Sequence, residues 1–142
     1  MDTRRLSKIL EKCPADMVKE LARPVMEKYG VNVIRKPSKT LVMVRMRETV
    51  AKAQFYLGEL LACETLVELE GQKGFSLQAG DDLDKTLCSA VLDALRKTDL
   101  PEWDTVAAAL LEEEKRILQK EQEEIRRHAM SRVQFNTLDV NY

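Results

Sequence analysis

The stretch FYLGELLACETLVELEGQKGFSLQAGDDLDKTLCSAVLD, residues 55–93, decides the fold, because it carries two strand signals and a helix signal with almost no linker. Between residues 61 and 70 apolar side chains alternate with glutamates, and this period of two predicts a strand with one buried face. Gly71–Gly74 predicts a short hairpin loop, and residues 75–79 predict the partner strand. The inward set of the first strand is Leu61, Cys63, Thr65, Val67 and Leu69.

The end of the same stretch predicts a helix. Acidic residues at positions 81, 82 and 84 precede it, and Arg96 and Lys97 follow it, an order that complements the helix dipole. An apolar stripe at helical spacing should cover one face of the sheet. Its members are Leu83, Leu87, Ala90, Val91, Ala94 and Leu95.

Toward the N-terminus the pattern predicts two helices and two short strands. The first helix spans residues 3–12 and the second ends at Gly30, with a kink or break near Arg23 because Pro24 follows it. The strands are residues 31–36 and 41–47. The second of them, LVMVRMR, is apolar on both faces at its start and places two arginines, Arg45 and Arg47, on one face.

Toward the C-terminus a long helix is predicted from about Trp103 to Met130. Glu114 and Glu121 fall within its apolar stripe, and buried unpaired charge is costly, so we expect its second half to project from the domain or to meet a partner. Residues 131–142 are apolar at intervals and are predicted to form an extended C-terminal arm that binds another molecule. The expected partner-binding residues are Glu114, Glu121, Ile125, Arg132, Val133, Phe135 and Leu138.

The order of these elements predicts the fold class. Two helices, about four strands and two further helices indicate an α+β protein with an antiparallel sheet flanked by N-terminal and C-terminal helices, the last helix being long and followed by an extended tail. We expect residues 1–142 to form a single domain, since a chain of this length can bury one real core.

Charge and cysteine usage limit the function classes. Residues 1–52 carry 13 Lys and Arg against 6 Asp and Glu, whereas residues 53–142 carry 10 against 18, which leaves a net charge of −1. The basic front half could attract nucleic acid, phosphates or an acidic partner, but its cations are dispersed, so folding of the two halves against each other is favoured and nucleic acid is not expected. Without an export signal, a membrane span or a C-x-x-C motif, the three cysteines predict a cytoplasmic protein with free thiols. Cys63 and Cys88 are expected to act as small buried hydrophobic residues.

The motifs that carry chemistry are largely missing from the sequence. The glycines match neither the dinucleotide nor the phosphate-loop pattern, and no cofactor or metal is expected on this chain alone. The single histidine, His128, lies beside arginines and indicates a surface position or a phosphate contact. Glu59 lies in an apolar run, where it could be a general acid or base, or a buried carboxylate that holds a bulge at Gly58. The catalytic candidates are therefore Glu59, Arg45 and Arg47, and no further catalytic set is expected.

Four segments in register are FYLGELL, GDDLDKTLCSAVLDAL, RKPSKTLVMVRMRET and SRVQFNTL. Together they resemble the PhnG family, a subunit of the bacterial carbon–phosphorus lyase. FYLGELL resembles the family's F-N-L-G-E-V-L, and GDDLDKTLCSAVLDAL resembles its G-D-D/G-R-D helix start with the following D-A-L. RKPSKTLVMVRMRET resembles R-x-P-x-x-G-L-V-M-V-x-x-R-E-T, and SRVQFNTL resembles R-V-x-F-F-T-M. The resemblance covers about residues 33–138 and departs from the family at Thr40, Tyr56 and Asn136.

The resemblance implies a subunit of a cytoplasmic complex that uses phosphonates. In that family PhnG acts with PhnI, PhnH and PhnL to join methylphosphonate to ATP, which is a substrate of the complex, with release of adenine; the product is α-D-ribose 1-methylphosphonate 5-triphosphate. PhnJ later breaks the carbon–phosphorus bond. We expect an accessory subunit of this transferase complex, with PhnI as its main partner, that is not catalytic on its own. The alternatives are a subunit that supplies residues to the nucleotide or phosphonate site, and a free-standing nucleic-acid-binding domain.

Overall fold

The computed structural model describes residues 1–47, 50 and 53–140, except the side chains of residues 132–140. It has four helices and a sheet of three strands within these residues. In chain order the elements are α1 (Thr3–Lys12), α2 (Ala15–Tyr29), β1 (Asn32–Arg47), β2 (Gln54–Leu69), β3 (Gln72–Ala79), α3 (Leu83–Arg96) and α4 (Glu102–Val140).

The sheet is antiparallel with the order β1-β2-β3, so the predicted α+β class is confirmed. It has three strands where about four were expected, because the two predicted strands of residues 31–36 and 41–47 are one continuous strand, β1. Pro37, which lies between the two predicted strands, falls where the register shifts between Arg35 and Ser38. An edge strand tolerates proline at such an irregularity, since a missing N–H costs no ladder hydrogen bond there.

The turn between β2 and β3 is shorter than predicted. Leu69 pairs with Gln72, which leaves a two-residue loop of Glu70 and Gly71. Both loop residues have positive φ, 47° and 80°, as the two-residue hairpin turn that matches strand twist requires. The predicted loop Gly71–Gly74 is therefore wrong in its boundaries, and Gly74 lies inside β3.

Gly74 lies inside β3 for a packing reason. A Cβ atom built on it would lie 2.7 Å from the Ala94 amide nitrogen and closer still to the Ala90 carbonyl oxygen. Helix α3 therefore crosses β3 with its backbone against the strand, an approach that only glycine allows.

Helix α3 is the centre of the core. Its N-cap is Asp82, whose carboxylate accepts a hydrogen bond from the Lys85 amide at 3.0 Å. The predicted apolar stripe assumed that one side faces solvent, yet every residue from Cys88 to Leu95 is buried. Helix α3 packs on the sheet with one side and on α2 with another, so small polar residues such as Ser89 are buried together with the apolar ones.

The N-terminal helices complete this core with short apolar stripes. Helix α2 continues through Pro24 without a break. The buried residues are Leu6, Ile9 and Leu10 of α1 and Val18, Ala22 and Val25 of α2. The inward alternation predicted for β2 is confirmed from Cys63 to Leu69.

The chain divides into two compact units, residues 1–106 and 107–142. The second unit consists of α4 beyond its first turns, with ion pairs one turn apart, such as Glu113 with Arg116 at 3.1 Å. The predicted extended arm, residues 131–142, falls at its end. Helix α4 is assigned as far as Val140, while residues 141–142 and the side chains of residues 132–140 lie outside the described part, so the arm stays a prediction.

Candidate functional site

The candidate site is a two-stranded ribbon formed by residues 41–47 of β1 and 54–61 of β2. Strand β3 pairs with β2 only as far as Ala62, opposite Ala79, so the sheet narrows to two strands beyond this point within the described residues. The ribbon is rich in exposed apolar side chains, many of them about half accessible, including Leu41 at 60% and Leu57 at 57%. They are Leu41, Met43, Met46, Phe55, Tyr56, Leu57, Leu60 and Leu61.

A bulge within the ribbon sets which side chains share a face. Val44 pairs with Gly58 and Arg45 with Tyr56, so Leu57 is the extra residue. The bulge expected at Gly58 is therefore found one residue earlier. Since Met43 pairs with Glu59, the carboxylate of Glu59 lies on the same face as Arg45, two residues along β1 from Met43.

The structure thus brings the three catalytic candidates, Arg45, Arg47 and Glu59, to one face of the ribbon. All three side chains are exposed. The expectation that Glu59 is a buried carboxylate is wrong, because its side chain is exposed and lies where β3 no longer pairs with β2. Two guanidinium groups and a row of apolar side chains suit the binding of an acidic, apolar surface.

The partner-binding residues predicted in α4 lie in the second unit. Glu114 and Glu121 are half-buried and each interacts with another group, while Ile125 is 69% exposed. The remaining members of that set are side chains outside the described part: Arg132, Val133, Phe135 and Leu138. Their role in binding stays a prediction.

A second cluster, missed by the sequence analysis, links the end of α2 to the start of α4. The Glu102 carboxylate accepts hydrogen bonds from Lys28 Nζ and from the Tyr29 hydroxyl, each at 2.7 Å. The hydrogen bond from Lys28, followed by that from Tyr29, lowers the pKa of Glu102 to about 2. The residues are more than seventy positions apart, and no spacing in the sequence indicates their contact.

Replacing Glu102 should make stability less dependent on pH. A lowered folded-state pKa stabilises the fold above the unfolded value, near 4.5, and that stabilisation is lost as pH falls toward 2. We expect Glu102→Gln to lower the urea unfolding midpoint at pH 7. As pH falls from 5 to 3, the midpoint of the variant should approach that of the parent protein.

The control for Glu102 is Glu112→Gln, which removes an exposed ion pair with Lys115 on the surface of α4 and should change the midpoint less at pH 7. A difference between Glu102→Gln and the parent protein that is the same at pH 7 and at pH 3 would contradict the linkage. Carbon-detected NMR titration of the Glu102 carboxyl group should give a midpoint at about 2.

A cavity of about 240 Å³ lies between α1, β3 and α3. Its wall includes Asp93, a buried residue whose carboxylate accepts a hydrogen bond from the Phe75 amide at 3.0 Å and lies 3.4 Å from Lys97 Nζ. Lys97 Nζ in turn donates to the Lys73 carbonyl oxygen at 2.7 Å. The charged groups of this cavity therefore hold the outer edge of β3 to α3, which gives them a structural role.

The three cysteines are free, and the predicted burial of Cys63 and Cys88 is confirmed; Cys13 is buried as well. The Cys63 thiol donates to the Gly80 carbonyl oxygen at 3.3 Å, and burial, followed by the nearby Asp84 carboxylate, raises the pKa of the Cys88 thiol. A thiol with a raised pKa is a poor nucleophile at neutral pH. Within the described residues, no group of three or more acidic, cysteine or histidine side chains is placed to hold a metal ion.

The fold and the ribbon define a class of protein: a small α+β domain with helices on one face of an antiparallel sheet and an apolar, basic ribbon beyond its core. The family model described as "Phosphonate metabolism protein PhnG" matches residues 2–139, and the chain belongs to this family. The protein is therefore involved in phosphonate metabolism. No curated protein matches the sequence significantly. None of the described helices combines the length and the hydropathy that crossing a bilayer requires.

Proposed function

We propose that this chain is an accessory subunit of a cytoplasmic carbon–phosphorus lyase complex, where it acts in assembly. In this role it is needed with PhnI, PhnH and PhnL for the reaction of ATP and methylphosphonate that gives α-D-ribose 1-methylphosphonate 5-triphosphate and adenine, while PhnJ acts in the later step. The family match over residues 2–139 carries the proposal. ATP is a substrate of the complex, and its contact with this chain is not part of the proposal.

The exposed ribbon supports a role in assembly. Soluble monomers rarely expose contiguous apolar patches of this kind, and such patches commonly mark protein–protein contacts. Leu41, Met43 and Tyr56 are each more than half exposed and lie on one face with Arg45. Covering these side chains with a partner subunit removes apolar surface from water, which favours association.

The test is adenine release by the reconstituted complex. Co-expressed PhnI, PhnH and PhnL should release adenine from ATP and methylphosphonate only when this chain is present, as measured by liquid chromatography. Removal of the residues after Met130 should weaken co-purification with PhnI if the predicted arm binds it. Full adenine release without this chain would refute the accessory role.

A second candidate function is favoured by the placement of Arg45, Arg47 and Glu59 on one face. In this alternative the three side chains contribute directly to the nucleotide or phosphonate site, where arginines suit phosphate groups. Alanine variants of each, assayed in the assembled complex, separate the two functions. Loss of adenine release while assembly is intact would favour the direct role, and loss of both would favour assembly. Lys39→Ala, an exposed cation nearer the core on β1, is the matched control.

A further inference from the structure

Three stretches of strand edge are unpaired within the sheet: the outer edge of β3, the outer edge of β1, and the part of β2 that extends beyond β3. The first two are protected from pairing with another chain. The outer edge of β3 is covered by α3, whose Asp93 accepts from the Phe75 amide and whose Lys97 donates to the Lys73 carbonyl oxygen. The outer edge of β1 contains Pro37, two register shifts and Lys36 and Lys39 at the end near the core. Proline, lysine and bulges are the usual devices that prevent an edge strand from pairing with another chain.

The third edge belongs to the ribbon part of β2 and lacks these devices. Residues 54–61 contain no proline and a single charged side chain, Glu59, and among the described residues no strand pairs with positions 54–60 on the side away from β1. Within this run all side chains except Gly58 are exposed. A long apolar edge with unpaired amides and carbonyls is a template for a further strand.

The direction of each backbone group on this edge follows from the hydrogen bonds. Leu61 directs its carbonyl oxygen away from β1, because it accepts from the Gly80 amide at 2.9 Å. In an antiparallel strand alternate residues point the same way, so Glu59 also directs its N–H and C=O to the open edge. Past the bulge at Leu57, Tyr56 and Gln54 do the same, since Arg45 pairs with Tyr56 and Arg47 with Gln54.

The ribbon also lacks what an isolated two-stranded segment needs for stability. Two strands alone are marginal in water, and a third strand or a packed helix is normally required. Beyond Gly80, whose amide donates to the Leu61 carbonyl oxygen, no strand pairs with this side of β2 within the described residues, so an added strand would continue β3 alongside β2. The ribbon, residues 41–47 and 54–61, carries two arginines against the single acidic residue Glu59, which favours an occupant with carboxylates.

We propose that the open edge of β2 at residues 54–60 binds an extended, apolar segment bearing acidic side chains from a partner subunit, which becomes the fourth strand of the sheet. This inference rests on the proposed function, since it assumes that the chain assembles with other subunits. It adds the binding mode, strand addition, and the chemistry of the segment that is bound.

Hydrogen exchange of the wild-type complex tests the proposal without altering the fold. The chain is co-expressed with PhnI, PhnH and PhnL, and amide exchange in the purified complex is compared with that of the isolated chain by residue-resolved mass spectrometry. The amides of Tyr56 and Glu59 should exchange about tenfold or more slowly in the complex. The amides of Gly58 and Leu60, which point toward β1, should change less and serve as internal controls.

The partner gives a reciprocal readout. One of its segments should gain protection in the complex, and its sequence should be apolar with Asp or Glu. A complex that forms while Tyr56 and Glu59 exchange as fast as in the isolated chain would overturn the inference and leave the proposed function standing. Failure of any complex to form would overturn both. Protection that appears in the isolated chain as its concentration rises would assign the edge to a second copy and overturn the partner segment.

Proline variants provide a second, independent measurement. Glu59→Pro removes an outward N–H and places the ring on the open edge, so it should weaken co-purification at least about tenfold. Lys39→Pro is the matched control, because Lys39 lies outside the ribbon, pairs with Cys63 in an unbroken register and directs its N–H to the outer edge of β1. If both proline variants lose co-purification equally while their circular dichroism spectra are unchanged, strand addition at the edge of β2 is contradicted.

Discussion

Gly74→Ala should be the most destabilising single-methyl change in the described part of the chain. The new Cβ atom would lie 2.7 Å from the Ala94 amide nitrogen and 2.8 Å from its Cβ, and closer still to the Ala90 carbonyl oxygen. Two of these atoms are backbone, which cannot rotate away, so α3 must move off the sheet. Overpacking of this kind costs about 3 kcal/mol. Urea or thermal unfolding followed by circular dichroism measures it, with a fall in Tm on the order of 10 °C.

Gly58→Ala is the matched control for this prediction. It adds the same methyl group to a strand glycine, but at Gly58 nothing lies within 4 Å of the added atom and φ is not positive. Its unfolding midpoint should stay close to that of the parent protein or rise slightly, since alanine restricts the unfolded chain. Equal destabilisation by the two variants would show that strand propensity, and not the crossing of α3, sets the cost at Gly74.

Asp93→Ala should give the second large effect. The Asp93 carboxylate is 8% exposed and accepts a hydrogen bond from the Phe75 amide at 3.0 Å. It also forms ion pairs with the Arg96 guanidinium at 3.5 Å and with Lys97 Nζ at 3.4 Å. Alanine leaves a buried amide without its acceptor and two cations without their counter-charge, at a cost of about 2 to 3 kcal/mol. Urea unfolding at neutral pH measures the loss, and faster exchange of the Phe75 amide locates it at the edge of β3.

Two further variants make the interpretation of Asp93 specific. Asp93→Asn retains an acceptor for the Phe75 amide but not the negative charge. Its urea unfolding midpoint should lie between those of the parent protein and Asp93→Ala. Asp99→Ala removes an exposed carboxylate a few residues further on and should change the midpoint little. If Asp93→Ala lowers the urea unfolding midpoint no more than Asp99→Ala does, the contacts of Asp93 do not stabilise β3 against α3.

The difference between what sequence and structure give is clearest in β2. The alternation predicted the buried face correctly from Cys63 to Leu69 because periodicity is a local property, whereas Leu61, predicted to face inward, is 42% exposed because it lies where β3 ends. The hairpin was placed wrongly, at Gly71–Gly74, because two glycines close together both resemble turn residues. Only the register of Leu69 with Gln72 shows that Gly71 makes the turn and that Gly74 accommodates a helix.

The candidate site shows the same division. The sequence placed Arg45 and Arg47 on one face of a strand but gave no reason to place Glu59 beside them, since the alignment of β1 on β2 depends on the bulge at Leu57. The contact of Glu102 with Lys28 and Tyr29 had no sequence signal at all, because it joins residues that meet only when the helices pack.

The sequence by itself determined the α+β class, the antiparallel pairing and the apolar faces of β2 and α3, because these follow from local patterns of apolar and charged residues. It also contained the motifs of the family. Only the tertiary structure decided that residues 32–47 form one strand, that α3 lies between the sheet and α2, and that β2 extends beyond β3 with an open edge. Register and helix packing depend on contacts between distant residues, and no local sequence pattern indicates where one strand extends beyond the strand it pairs with.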